Sequence, residues 1–540
     1  MVLATACLLK QQGLDVLVVE QNKSPTLFSK AIGIHARTLE SMHALSLTEA
    51  MIDNGQPMFE FEITDGKTSI LDSNFSNVDT PYNFVLGLPQ SKTEQLLLER
   101  FKELGGQVQW ETVVVDLIEE GDREVESKKA KVLVKDSDNN QTVIEANWIV
   151  GADGSRSIIR ELAGIEFPGG SYGNAFILGD IKLDWEGNKS KLQFFLSPHG
   201  YLLVIPMPSG MHRVIAQTDY RFEDFQGADR PEATLDQLQA VVDKNGPGGI
   251  KLHSPEWVTC APFYHRNAQE IIKGRVVLVG DACHLFSPLG AQGLNTGFQD
   301  ACNLAWRLGL YERGLSNINL VEKYAEERKQ IIDLMVKVTS ATNRYITALA
   351  PQKRFLRHVL SRVFNRTQKV KTELPALMSG IKQAYQTDGN GQLIKGTNLP
   401  LPGTRFPHTW IESIGGDYIP VSKLIHGKDF TLMCINQRLT EDVIERFNNM
   451  KKNSLLKLSF VNTILVGREA VKDQNTKLSF INDRLGAITN LLGDSFEGMI
   501  LIRPDGFVSF VQSSWEVNSL TDHFESIGIF THRLSKIKAV

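Results

Sequence analysis

The stretch Gly274-Arg-Val-Val-Leu-Val-Gly-Asp-Ala-Cys-His284, resumed at Pro288-Leu-Gly-Ala-Gln-Gly-Leu-Asn-Thr-Gly-Phe-Gln-Asp-Ala-Cys-Asn-Leu-Ala-Trp306, decides the fold. Val276, Val277, Leu278 and Val279 form a short, mostly β-branched run with no polar alternation, which predicts a strand covered on both faces. Gly280 permits a tight bend and leaves Asp281 where the strand emerges, the place at which open α/β sheets bind ligands. Pro288 stiffens the following loop, and Gly290, Gly293 and Gly297 allow close backbone approach. From Phe298 onward, Ala301, Cys302, Leu304, Ala305 and Leu308 recur at helical spacing. The unpaired N–H groups near Leu294 and Asn295 then point at whatever the loop holds, and such a nest favours an electron-rich or anionic group.

These residues closely resemble the second FAD fingerprint of the flavoprotein aromatic hydroxylases, the p-hydroxybenzoate hydroxylase and phenol hydroxylase group. The resemblance implies that Asp281 holds the ribityl chain of FAD. It implies that the loop from Pro288 through Gly290, with Gly293, Leu294 and Asn295, faces the flavin pyrimidine edge.

Upstream, Val2–Leu9 reads as a helix ended by Gly13, and Asp15-Val-Leu-Val-Val-Glu20 as a strand ending in an acid. Together they form the second half of a dinucleotide-binding βαβ unit, with Glu20 placed to accept two hydrogen bonds from the adenosine ribose diol. The strand and G-x-G-x-x-G turn that open such a unit, and that cradle the FAD pyrophosphate, are expected ahead of Val2, encoded upstream of Met1. In Lys30-Ala-Ile-Gly-Ile-His-Ala-Arg-Thr-Leu-Glu40 the family likeness puts Arg37 beside the pyrophosphate or the flavin, with His35 as a neighbour. In Leu86-Gly-Leu-Pro-Gln-Ser-Lys-Thr-Glu94 it puts Gln90 at the ribityl chain or pyrophosphate. Gly151-Ala-Asp-Gly-Ser-Arg-Ser157 matches the family's Asp-Gly motif, in which Asp153 orients a tight turn and Arg156 offers charge near phosphates.

Between Ser171 and Pro262 the pattern changes to strands at Ala175–Leu183, Leu192–Leu196, Tyr201–Met207 and His212–Thr218, with a helix near Leu235–Lys244. The likeness makes this the sheet that covers the substrate, with Phe194, Tyr201, Leu203, Ile205 and Met207 as lining candidates. Leu320–Arg328 resembles the family's closing helix. The basic residues from Lys353 to Arg366 read as a solvated helix face. Thr387–Gly391 and Leu399–Gly403 mark a linker. Beyond it, the strands at Phe430–Ile435, Asn462–Val466 and Met499–Val508 and the Arg503-Pro-Asp-Gly506 hairpin resemble the thioredoxin-like C-terminal domain of phenol-hydroxylase-type enzymes, without a redox cysteine pair.

The expected architecture is therefore α/β. A FAD-binding, Rossmann-like domain of the glutathione-reductase type occupies 1–170 and 263–385. A mixed β-sheet substrate domain is inserted at 171–262, a linker spans 386–403, and a thioredoxin-like α/β domain spans 404–540. Composition agrees with a globular protein of several domains: 540 residues, 42% hydrophobic and 22% charged. A net charge of −4, from 58 basic and 62 acidic residues, argues against nucleic acid or an anionic membrane as main partner. The five scattered cysteines form no metal or disulfide spacing, which points to a reducing, cytoplasmic setting. No apolar run reaches membrane-spanning length.

What the resemblance implies is a single-component monooxygenase that takes NAD(P)H and O2 as co-substrates. It would hydroxylate a phenolic or other small aromatic substrate through a flavin hydroperoxide, with a homodimer as the expected assembly. A flavin epoxidase or hydroxylase of a polycyclic natural product carries the same fingerprints. A catalytically silent relic is the alternative motivated by the lack of the Gly-rich turn in this sequence. No residue stands out as a catalytic base, and no metal site is expected.

Overall fold

The computed structural model describes residues 1–26, 31–65, 68–125, 127–221, 233–287, 290–346, 367–386, 399–412, 417–425, 427–452, 458–467, 480–483, 486–493 and 496–531. Val276–Leu278 forms the expected buried strand and pairs in parallel with Ile149–Gly151, while Ile272–Lys273 lines its other edge. Val276 through Val279 are fully shielded from solvent. Burying such side chains stabilises by about 1.5–3 kcal/mol each, so this short run anchors its surroundings well beyond what its length suggests. Leu17–Val19 pairs in parallel with Gln107–Gln109. The helix Val2–Gln11 lies against two others, Gln90–Glu103 and Gln292–Glu312.

The Gln292–Glu312 helix, called here the cofactor helix, runs through the middle of the molecule with nearly every residue after Leu294 buried. That explains its composition: Ala301, Leu304, Ala305 and Leu308 face one core, and Trp306 and Leu310 face a second. The closing helix Asn319–Ile346 packs back against it.

Eight strands form the largest sheet, in the order His284–Leu285, Lys251–Asn267, Gly169–Asp184, His212–Arg221, Gly200–Pro206, Leu192–Ser197, Glu60–Thr64 and Ser69–Asn74. The strands expected after Ser171 are all present, and the helix Leu235–Asn245 covers one face. Two features were not anticipated. A hairpin at 60–74 joins the sheet's far edge, and Lys251–Asn267 continues past Pro262 until its end pairs with His284–Leu285. Side chains alternate between faces, as the pleat requires. Ile177, Phe195, Leu202 and Val214 pack under the helix, while Phe176, Phe194, Tyr201, Leu203 and Ile215 point the other way into the main core.

The C-terminal part is a separate seven-stranded sheet in the order Tyr418–Pro420, Trp410–Glu412, Phe480–Asn482, Val461–Gly467, Phe430–Ile435, Gly498–Ile502, Val508–Gln512. The strands expected near 430 and 462 pair in parallel, and the hairpin Arg503–Gly506 joins the antiparallel pair 498–502 and 508–512. The basic run 353–366 and most of the 386–403 linker lie outside the described residues. All five cysteines are buried and free. Among the described residues, no helix is long and apolar enough to cross a membrane, and no cluster of metal-binding side chains occurs.

Candidate functional site

At the end of the buried strand the backbone turns through Gly280, whose φ of +63° only glycine adopts without strain, into the single turn Gly280–Ala282. Asp281 projects to the surface there. The chain then returns through His284–Leu285 to the loop that feeds the cofactor helix. Pro288 lies outside the described residues. Gly290 has a φ of +84°, and Ala291, the residue before the helix, is also left-handed at +51°. Among the described residues, no side chain caps this N-terminus. The N–H groups of the first turn, at Gln292, Gly293, Leu294 and Asn295, therefore lack intrahelical partners and carry the positive end of a 21-residue helix. A Cβ at Gly293 would meet nothing within 4 Å, so the first turn is open on that side.

The side chain of Asn295 does something the sequence reading did not anticipate. Its Oδ1 accepts from the His35 backbone N–H at 2.9 Å and from Thr38 Oγ1 at 2.8 Å, and its Nδ2 donates to the carbonyls of Gly33 at 2.9 Å and Ala291 at 2.7 Å. All of its hydrogen-bonding capacity ties the cofactor helix to the segment 33–38. Gly33 in turn pairs with Gly87, and a Cβ on Gly33 would lie 2.8 Å from that of Ala291. A Cβ on Gly87 would lie 2.6 Å from the carbonyl of Pro206, at the end of a sheet strand. Close glycine contacts thus bring the sheet, the 31–38 segment and the helix N-terminus together. Gln90 joins them by accepting from Ala31 N–H at 3.2 Å. His35 is buried beside Gly290, and burial pushes its imidazole down to about 4, so it is neutral at pH 7.

Beneath the strand end lies a buried polar knot. Asp300 accepts from Gly280 N–H at 3.0 Å, His284 Nε2 at 2.7 Å and Arg328 Nε at 2.7 Å, and Arg328 also donates to Tyr385 Oη at 2.9 Å. Burial alone would push the Asp300 carboxyl up. The adjacent His284 and Arg328, with their hydrogen bonds, overcome it and hold the group at about 2. Asp300 fixes the Gly280 turn and hence the position of Asp281. The signal in the sequence was an acid on the apolar face of a helix, between Phe298 and Ala301, where an unpaired charge is not tolerated.

Other expected residues fall in three groups. Asp281 and Glu94 both act electrostatically on the buried Met1 amino group, and Glu20 acts on Glu94, so these acids share one neighbourhood. Glu20 also accepts from Asn22 N–H at 2.9 Å. Asp153 binds the Ser157 hydroxyl and the Ile159 N–H at 3.1 Å, holding the turn into the helix Ile158–Leu162. The cation that links this turn to the Gly280 turn is Arg160: its guanidinium is buried, donates to the Ala282 carbonyl at 3.0 Å and lies over Phe167. Arg37 is placed differently from expectation. Its guanidinium turns away from the helix N-terminus to the Asp505 carbonyl and Glu40, over the Phe507 ring at 4.8 Å. The reason is local: these groups offer acceptors and an aromatic face.

The FAD binding domain family matches residues 3–339. A 6-methylpretetramide 4-monooxygenase of Streptomyces rimosus is 28% identical over 532 residues, covering 96% of this chain and 90% of that protein. A pentachlorophenol 4-monooxygenase of Sphingobium chlorophenolicum is 29% identical over 347 residues, covering 63% of this chain and 62% of that protein. The solved structure of an aromatic hydroxylase from angucycline biosynthesis superposes with a TM-score of 0.74 at 23% identity, covering 97% and 96% of the two chains, which establishes a shared fold. The class is thus an enzyme of the FAD-dependent aromatic monooxygenase type. The chain belongs to the FAD binding domain family, within the flavoprotein aromatic hydroxylases.

Proposed function

We propose that this enzyme uses NAD(P)H and O2 to hydroxylate a phenolic or polycyclic aromatic compound at the end of the cofactor helix. The observation that carries the reading is the uncapped, open N-terminus of that helix, held against segment 33–38 by Asn295. When bound there, FAD supplies the activation of O2 that no side chain can provide. The N–H groups of Gly293, Leu294 and Asn295 would hold the electron-rich edge of the isoalloxazine, where the helix N-terminus would favour negative charge. Asp281 takes the ribityl hydroxyls, Gln90 the ribityl or pyrophosphate region, and Glu20 the adenosine ribose. Gly290 and Pro288 shape the loop, and Asp153 holds the neighbouring turn. Arg37 acts at one remove, by fixing its helix. The aromatic face of the eight-stranded sheet covers the substrate and excludes water. The relatives that act on 6-methylpretetramide and pentachlorophenol support an aromatic substrate, and the first favours a polycyclic one.

In this reading the FAD-binding part spans 1–170 and 263–385 with the sheet inserted between, and the part beyond 404 is a thioredoxin-like domain serving packing or dimerisation. The buried, free thiols suit a reducing compartment such as the cytoplasm. The test is to load the purified chain with FAD. A yellow protein with perturbed flavin fluorescence is expected, with NAD(P)H oxidation accelerated by phenols and a product heavier by one oxygen atom. A colourless protein, or one whose NAD(P)H oxidation no aromatic compound stimulates, would sink the proposal.

A further inference from the structure

The three-stranded sheet of Val113–Glu119, Ala130–Lys135 and Gln141–Ala146 ends in two unlike edges. Val113–Glu119 is bulged twice, between Val114 and Asp116 and between Leu117 and Glu119, and it lies against the helix Ile158–Leu162. Gln141–Ala146 pairs with Ala130–Lys135 along its whole length without a bulge. Among the described residues, nothing pairs with its other side. Open edges ordinarily escape pairing through bulges, prolines or lysines, and this strand has none of these.

The register decides which groups the edge offers. The Asp136 N–H donates to the Asn140 carbonyl at 3.1 Å, at the turn that closes the hairpin. Hydrogen-bonded and non-bonded pairs alternate along an antiparallel ladder. Thr142, Ile144 and Ala146 therefore bond to the neighbouring strand, opposite Val134, Val132 and Ala130. Gln141, Val143 and Glu145 turn three N–H groups and three carbonyls to the open edge. Their side chains share the face directed away from the core, where Val143 is 52% exposed and stands opposite the part-buried Leu133.

We propose that this edge is an interface between two copies of the chain, paired antiparallel about a two-fold axis through Val143. That register sets Gln141 of each copy opposite Glu145 of the other, and every outward N–H and carbonyl of the three residues finds a partner. A slip of two residues in either direction leaves one residue of each copy without a strand partner. A slip of one sets outward-bonding residues against inward-bonding ones and turns the side chains to opposite faces. Charge agrees with the register: Glu145 meets a neutral amide, and Lys135 of the second copy lies one strand beyond it, because Lys135 pairs with Gln141. No like charges face each other across the axis, where they would be destabilising. The two-fold contact consumes the open edge, so assembly stops at two copies. The contact is small, as transient interfaces are, and the dimer is expected at micromolar concentration. No residue of the cofactor site takes part, so the dimer stands or falls separately from the flavin reading.

The test is sedimentation velocity of the full FAD-loaded chain across the micromolar range. The wild type should pass from monomer to dimer as concentration rises, with no larger species. V143P should weaken association at least about tenfold, through the loss of two hydrogen bonds on the axis. It should leave the melting temperature nearly unchanged, because the Val143 N–H bonds nothing within its own chain and proline is tolerated on such edges. V143K brings two ammonium groups together on the axis; it should also abolish the dimer, and added salt should restore part of it. V143K decides the matter if V143P does not fold. A wild type that stays monomeric throughout, leaving the edge to an unrelated partner, would overturn the proposal. So would species larger than a dimer, or a dimer indifferent to V143K, which would place the contact on another surface such as the C-terminal sheet.

Discussion

At the scale of single residues, Asn295 and Asp300 organise the site from opposite sides of one helix. Asn295 is irreplaceable by its isostere, because it donates to two carbonyls and accepts from two donors. In N295D the new acid faces the carbonyls of Gly33 and Ala291. Its favourable position in the first turn of a helix, worth about 0.3–1 kcal/mol, does not offset two lost bonds and two repulsive contacts. We expect N295D to lose about 2–4 kcal/mol in denaturant unfolding, and a variant as stable as wild type would contradict the bridging role. Asp300 makes a pH prediction. Its folded carboxyl sits at about 2, below the ordinary carboxylate near 3.8. Stability from its ionised form is therefore complete above about pH 5 and is lost as pH falls toward 2, amounting to about 2 kcal/mol. The stability gap between wild type and D300N should be widest near neutrality and should shrink through that acid window. A gap that stays constant down to about pH 2 would rule out the ionised knot. Both residues stand inside the stretch that decides the fold. Only the backbone of Asn295 was readable as functional, because four partners from distant segments cannot be inferred from spacing. Arg37 shows the converse: a motif names the residue, but its direction depends on a hairpin more than four hundred positions away.

At the scale of elements, the cofactor helix separates glycines that serve the fold from those that serve the ligand. A Cβ at Gly297 would lie 3.2 Å from Gly280 Cα and closer still to Met1, whereas one at Gly293 meets open space. G293A should keep or slightly raise the melting temperature, since alanine favours a helix by about 1 kcal/mol over glycine. It should also weaken FAD at least about tenfold in fluorescence titration, through a methyl group at the edge proposed for the flavin. G297A should instead lower the melting temperature. Equal FAD affinity in G293A and wild type would mean that the flavin does not approach that turn. The buried strand and this helix were legible because their apolar periods are local properties. The hairpin at 60–74 was not, since a short strand at a sheet edge has no periodic signal long enough to distinguish it from a loop. The extension of Lys251–Asn267 was missed for a related reason: its middle is amphipathic on neither face, with most side chains only partly buried.

At the scale of the whole molecule, the part beyond 399 is wired into the underside of the cofactor site. Arg503 binds Glu327 of the closing helix with both terminal nitrogens, at 2.7 and 2.9 Å, and also Asp505. Glu327 pairs with Arg307 at 2.8 Å, and Asn303 reaches Asp505 at 3.3 Å, both from the cofactor helix. Arg405 binds Glu40 at 2.8 and 2.7 Å on the helix that Asn295 positions. Burial pushes the Glu327 carboxyl up, but Arg307 and Arg503 outweigh it and hold it at about 2. Such a network contributes little net free energy while intact, because desolvation offsets attraction; removing one member leaves a buried charge unpaired and costs about 3–5 kcal/mol. E327A strands Arg307 and leaves Arg503 with Asp505 alone, so it should lower the unfolding midpoint sharply. Because the same charges brace the cofactor helix, flavin release and loss of secondary structure should fall together in both proteins, at a lower temperature in the variant. The double variant E327M/R503M, which removes an acid and one of its bases, should recover part of the loss if Asp505 can turn to Arg307. The measurement is a thermal scan of the FAD-loaded chain by flavin fluorescence and circular dichroism. If E327A melted in two steps, with flavin retained after the C-terminal sheet had unfolded, the C-terminal part would be an appendage, and the contacts through Arg37, Arg405 and Arg503 would have no bearing on the cofactor site.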